Sequence, residues 1–122
     1  MRLLLIDHED SFTYNLAHLL SSFGKLDVKN YYDVKESLVK KSDIIIFSPG
    51  PGKPLDYPIS LEIYEKYKTQ KKIIGICLGF QLIANAEGGI ISKQEKIFHG
   101  YQTYIRTNNK SLRFPHNHMY QV

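Results

Sequence analysis

The chain has 122 residues, 43% of them hydrophobic and 23% charged, with a formal net charge of +4. That is the length of one domain and the composition of a globular one. The lysines are scattered, which argues against a nucleic-acid footprint, and no apolar run reaches membrane-spanning length, so neither nucleic acid nor membrane is an expected partner. A single cysteine excludes an internal disulfide. With an N-terminal apolar run too short for a signal peptide, it points to the reducing cytoplasm.

Leu3 to Ile6 is a continuous apolar run ending in Asp7, the pattern of a central parallel strand. His8-Glu9-Asp10-Ser11 follows as a polar loop, with His8 read as a loop residue and Asp10 or Ser11 as a helix cap. Phe12, Leu16, Leu19, Leu20 and Phe23 then fall on one face of a helical period, with His18 on the helix surface. Gly24 stands where a left-handed residue ends such a helix. Val28 to Tyr32 reads as a second strand, Val34 to Val39 as a short helix or turn, and Ile44 to Phe47 as a third, buried strand.

That third strand runs into Ser48-Pro49-Gly50-Pro51-Gly52-Lys53-Pro54, too rich in proline and glycine for helix or ladder. It is either a rigid connector or a loop whose glycines let the backbone approach a ligand closely. At the carboxyl end of a parallel strand it sits where open α/β sheets bind ligands. Ile59, Ile63, Tyr64 and Tyr67 mark another amphipathic helix.

Ile73 to Ile76 reads as a fourth strand and Phe80 to Ala86 as a helix stopped by Gly88-Gly89. Between them, Gly75-Ile76-Cys77-Leu78-Gly79 has the glycine spacing of a nucleophile elbow with cysteine at its centre. A lone cysteine is often plain core. Here the strand-to-helix junction favours an exposed thiol, and the helix N-terminus is expected to favour its thiolate. Ile90-Ile91 begins a further strand. Gln102 to Arg106 and Ser111 to Phe114 look like short strands around a hairpin at Thr107-Asn108-Asn109-Lys110. The alternation predicts an α/β fold, an open and mostly parallel sheet with helices on both faces.

Four stretches together resemble the class I (triad) glutamine amidotransferase domain, in particular the glutaminase subunits of anthranilate and aminodeoxychorismate synthases. They are Asp7 to Leu16, Ser48 to Gly52, Gly75 to Gln81, and the pair His99-Gly100. The resemblance implies a flavodoxin-like fold, no cofactor, and no metal. Cys77 would attack the carboxamide of glutamine, with the backbone N–H groups of Gly52 and Leu78 holding the oxyanion. Gly50, Pro51, Gly52 and Gln81 would bind glutamine. Ammonia would pass to a chorismate-using synthase as protein partner, and the Asp10 to Asn15 stretch would face that partner or brace the site.

The family's catalytic histidine, followed two residues later by a glutamate, has no counterpart in these 122 residues. The expectation is a domain lacking its C-terminal third, with a hydrophobic edge exposed and little or no turnover alone. His116 and His118 stand too soon after Cys77 for the family's spacing and read as a solvated tail. His99 reads as a brace. A non-catalytic remnant is the competing reading, and a thiol hydrolase on the same frame a third.

Overall fold

Leu4, Leu5 and Ile6 expose none of their surface, as the central strand of a sheet covered on both faces must. The computed structural model describes the backbone of residues 1–107 and 110–121 and the side chains of residues 1–92. The central strand is β1 (Arg2–Asp7). It pairs in parallel with β2 (Lys25–Asn30) on one side and β3 (Ile44–Phe47) on the other, and β4 (Lys72–Gly75) adds in parallel to β3. The order is β2-β1-β3-β4. The chain therefore reverses its direction of travel between β1 and β3, which opens a crevice at their carboxyl ends.

Strand alternation divides the core. Leu4, Ile6, Ile45 and Phe47 face one side. They pack there with Val39 of α2 (Glu36–Lys41), Tyr64 and Tyr67 of α3 (Pro58–Tyr67), and Leu82 of α4 (Leu78–Ala86). Leu3, Leu5 and Ile46 face the other side, against Leu16, Ala17 and Leu20 of α1 (Thr13–Leu20). Each fully buried aliphatic side chain contributes roughly 1.5–3 kcal/mol, so these rows fix the register. Helices on both faces of a parallel sheet agree with the sequence. At the edge, Ile74 of β4 is 48% exposed.

The first helix departs from its expected stripe. Leu16 and Leu20 pack inward, but Phe12, Leu19 and Phe23 are each more than half exposed. Thr13 is the buried residue instead, its hydroxyl donating to Asp7 Oδ1 at 2.7 Å. Thr13 and the small Ala17 let the helix lie close, and this turns the inward face about a quarter-turn away from the large side chains. Neither Asp10 nor Ser11 is the N-cap. Phe12 occupies it, and Asp10 closes the preceding turn by accepting Phe12 N–H at 2.9 Å. The helix ends at Leu20 and continues as a 3-10 turn over Ser21–Phe23. Gly24 is nearly extended rather than left-handed. A Cβ there would lie 2.5 Å from the Met1 carbonyl oxygen, so close approach is what requires glycine.

Other boundaries move by one to three residues. The second strand begins at Lys25, α2 at Glu36, and α4 at Leu78, directly after the cysteine. Ile90 and Ile91 precede β5 (Ser92–Thr107), which pairs antiparallel with β6 (Lys110–Gln121) in a separate two-stranded sheet. The two expected short strands are the paired, turn-proximal ends of these longer ones, with Thr107 opposite Lys110. Asn108, Asn109 and the side chains of His99, His116 and His118 lie outside the described residues. No helix among the described residues is long and apolar enough to cross a membrane.

Candidate active site

Cys77 stands at φ 54°, ψ −109°, between the last residues of β4 and the first turn of α4. A positive φ is uncommon outside glycine and costs on the order of 1–3 kcal/mol, sustained only where the surroundings dictate it. Here they do. Ile76 N–H donates to the Phe47 carbonyl of β3 at 3.1 Å, and Gly79 N–H closes onto Ile76 O at 2.9 Å. A Cβ on Gly75 would strike the Gly79 carbonyl and lie 2.6 Å from Phe80 N. A Cβ on Gly79 would strike the Phe47 carbonyl and lie 2.7 Å from its Cβ. Both glycines are needed for backbone to touch backbone, and the turn they allow leaves the thiol exposed.

The thiol's electrostatics run against the sequence expectation. Partial burial first, and the Asp10 carboxylate second, push the Cys77 pKa above the ordinary cysteine value. A helix N-terminus supplies only about half a positive charge, whereas Asp10 carries a whole negative one. The carboxylate is fixed by its bond from Phe12 N–H, while Asp10 N–H donates to Asp7 Oδ1 at 3.2 Å. Asp10→Asn keeps an acceptor for that turn and removes the charge. Its thiol is expected to react severalfold faster at most with iodoacetamide at neutral pH. A pH profile of alkylation unchanged from the parent would refute the assignment.

Across from the elbow, β3 runs into the proline-glycine loop. Ser48 and His8, which follow β3 and β1, are both fully buried and bonded together. His8 N–H donates to Ser48 Oγ at 2.8 Å, and Ser48 Oγ donates to the Pro49 carbonyl at 2.7 Å. His8 Nδ1 lies 3.2 Å from the Ser48 carbonyl, and Nε2 lies 2.8 Å from Ser60 Oγ on α3. A carbonyl can only accept, so Nδ1 carries the proton and Ser60 donates to Nε2. Burial, opposed by the Ser48 carbonyl and Asp7, lowers the His8 pKa to about 4. His8 is a loop residue, as expected, but a buried one: the residue after a central strand is still inside the sheet's cover. His18 is exposed, as expected.

The same network fixes the loop's path. A Cβ on Gly50 would lie 2.5 Å from the His8 carbonyl and 3.0 Å from Leu78 Cδ2, so Gly50 is wedged between β1's end and the start of α4. Gly52 has φ 81°, and the next residue's N–H donates to Asp56 Oδ2 at 2.9 Å. Tyr57 Oη donates to the Pro51 carbonyl at 2.6 Å. Burial, then Tyr31, Glu9 and Asp56, raises the Tyr57 pKa to about 12. Gln81 is buried on α4's first turn, where its N–H donates to Cys77 O at 3.1 Å.

The residues singled out in the sequence therefore come from two segments. Cys77, Leu78 and Gln81 lie at the start of α4, and Gly50, Pro51 and Gly52 lie on the loop after β3. Leu78 and Gly50 are the meeting point. The sequence missed His8, Tyr57 and Ser60, which support the loop from beneath. The signal for Ser60 was a hydroxyl on the otherwise apolar inward face of α3. Among the described residues no group of three or more His, Cys, Asp or Glu could hold a metal ion. A groove of about 190 Å³ between α2 and α3 is lined by Val34, Ile63, Glu36 and Lys66 among others. Of the two acids on its lining, Glu36 binds Lys66 and Tyr67, and Glu62 is the other.

Comparison with known proteins shows the family and the fold. The family described as glutamine amidotransferase class-I matches residues 4–122. Anthranilate synthase component 2 of Lactococcus lactis is 38% identical over 115 residues, which cover 93% of this chain and 58% of that protein. The aminodeoxychorismate/anthranilate synthase component 2 of Bacillus subtilis is 35% identical over 113 residues, covering 90% and 58%. The chain thus spans less than two thirds of the length of these relatives. A glutamine amidotransferase structure from Thermotoga maritima superposes with TM-score 0.71 at 16% identity, covering 99% of this chain and 61% of that one, and so shares the fold.

Proposed function

The chain belongs to the class-I glutamine amidotransferase family, and on that premise we propose that it is the glutamine-handling part of a chorismate-using synthase. The observation that carries the reading is Cys77, exposed on a strained strand-to-helix turn whose helix packs against the Gly50 loop. In this reading the Cys77 thiolate attacks the carboxamide carbon of glutamine. The oxyanion that forms is held by the backbone N–H groups of Leu78 and Gly52. The C–N bond then breaks, the nitrogen takes up a proton and leaves as ammonia, and a glutamyl thioester remains for water to cleave to glutamate. Gly50, Pro51, Gly52 and Gln81 form the glutamine site.

The thiol needs a base, because its pKa is raised. No described histidine is placed to serve: His8 is buried and bonded through both ring nitrogens, and His18 is exposed on α1. Turnover in this reading depends on a group outside the described residues. The synthase partner is suggested by the names of the two relatives. It is supported by Phe12 and Tyr14, large side chains 65% and 89% exposed at the start of α1, just after the Asp10 turn.

The test is glutamate release from glutamine by the purified chain, alone and with the same organism's chorismate-using synthase. Little or no release is expected alone. Release is expected with the synthase and is lost in Cys77→Ala. A folded chain that releases none in either mixture overturns the enzymatic reading.

A further inference from the structure

The Pro51–Gly52 peptide is the softest point of the loop. Turning a peptide plane needs a change in the preceding ψ and the following φ. Proline fixes its own φ but leaves its ψ free, and glycine tolerates either sign of φ. Nothing covalent therefore selects one orientation of that plane. One hydrogen bond does: Tyr57 Oη donates to the Pro51 carbonyl at 2.6 Å. No peptide bond here is cis, so the Gly52 N–H lies antiparallel to that carbonyl in the same plane. Holding the oxygen down holds the N–H up.

We propose that Tyr57 is a positioning residue whose hydroxyl fixes the Pro51–Gly52 peptide plane and so aims the Gly52 N–H at the developing oxyanion. This rests on the glutaminase reading of the site above. Tyr57 is built for the task. Its ring meets His8 edge-on at 4.9 Å and Tyr31 edge-on at 4.9 Å, and its N–H donates to Pro54 O at 3.0 Å. His8 is itself tied to Ser48 and Ser60. The hydroxyl is thus presented from a packed aromatic cluster, with little freedom to follow the loop if it moves. The raised pKa keeps it a donor throughout the neutral range.

Tyr57→Phe keeps the ring and removes the bond. The probes are a glutamine-shaped chloroketone and iodoacetamide, both at about pH 9, where a fraction of the thiol is ionised without a base. The thiolate adds to the ketone through an oxyanion before chloride leaves, whereas iodoacetamide reacts by direct displacement and forms none. The expected result is a fall of about ten- to a hundredfold in the maximal inactivation rate by the chloroketone. Its half-saturating concentration and the iodoacetamide rate should stay unchanged. An unchanged chloroketone rate, or equal losses with both reagents, overturns the proposal. The Gly52 amide signal in a ¹⁵N spectrum is read in the same two proteins and should shift in Tyr57→Phe. If the parent shows no saturable, glutamine-protected inactivation, it is the glutaminase reading that has failed. The amide signal then decides the role of Tyr57 alone, and an unmoved peak overturns it.

Discussion

Gly79→Ala is expected to cost the fold more than about 3 kcal/mol, enough to remove much of the stability of a small domain. Ordinary overpacking of a core costs about 1–3 kcal/mol because neighbouring side chains shift. Here the added methyl meets the Phe47 carbonyl and lies 2.7 Å from Phe47 Cβ, on a residue with no exposed surface. That carbonyl is pinned, since it accepts Ile76 N–H at 3.1 Å. Relief requires either β3 or the start of α4 to move, and Cys77 sits between the two. The control is Gly88→Ala, where φ is +90° but a Cβ would meet nothing within 4 Å. That change carries only the backbone cost, about 1 kcal/mol. Urea midpoints of the two variants should differ accordingly. Equal losses would mean that close packing at the elbow is not what requires glycine.

The contrast explains why the elbow was legible in the sequence. Gly75 and Gly79 are demanded by contacts within a few residues and with the neighbouring strand, so their spacing carries the geometry. The central strand was legible for a similar reason. Four apolar residues in a row have no amphipathic alternative, and all four of Leu3 to Ile6 are buried. The face of α1 was not legible. Large apolar residues marked one stripe, but the inward direction was set by Thr13 bonding Asp7, a contact between helix and strand that no helical period encodes. The support beneath the loop was hidden for the same reason. His8 lies some forty residues before Ser48, with Tyr57 and Ser60 further on, and their types are individually ordinary. Only the β1–β3 adjacency brings His8 to Ser48, and only the return of α3 brings Ser60 to His8. Local geometry could be read from spacing, whereas the second layer depended on the topology.

His8 makes that second layer measurable through pH. In the unfolded chain its imidazole takes up a proton near pH 6.5, whereas in the fold it resists protonation to about 4. Between those values the unfolded state binds more protons, so stability rises with pH across the interval. The contribution is fully present above about pH 6.5 and is lost as pH falls toward 4, with a ceiling of about 3 kcal/mol. Carboxylates held low by partners, such as Glu36 beside Lys66 and Tyr67, act in the same direction but at lower pH. The window from about pH 6.5 to 5 is therefore where His8 should dominate among the described groups. Urea unfolding of the parent at pH 7, 6 and 5 should show the midpoint falling steadily. His8→Asn is expected to be less stable at pH 7, since it gives up the bond to Ser60 and the packing against Tyr57. Its midpoint should nevertheless fall less between pH 7 and 5. Parallel pH dependences in the two proteins would show that a buried neutral imidazole does not hold the loop to the sheet.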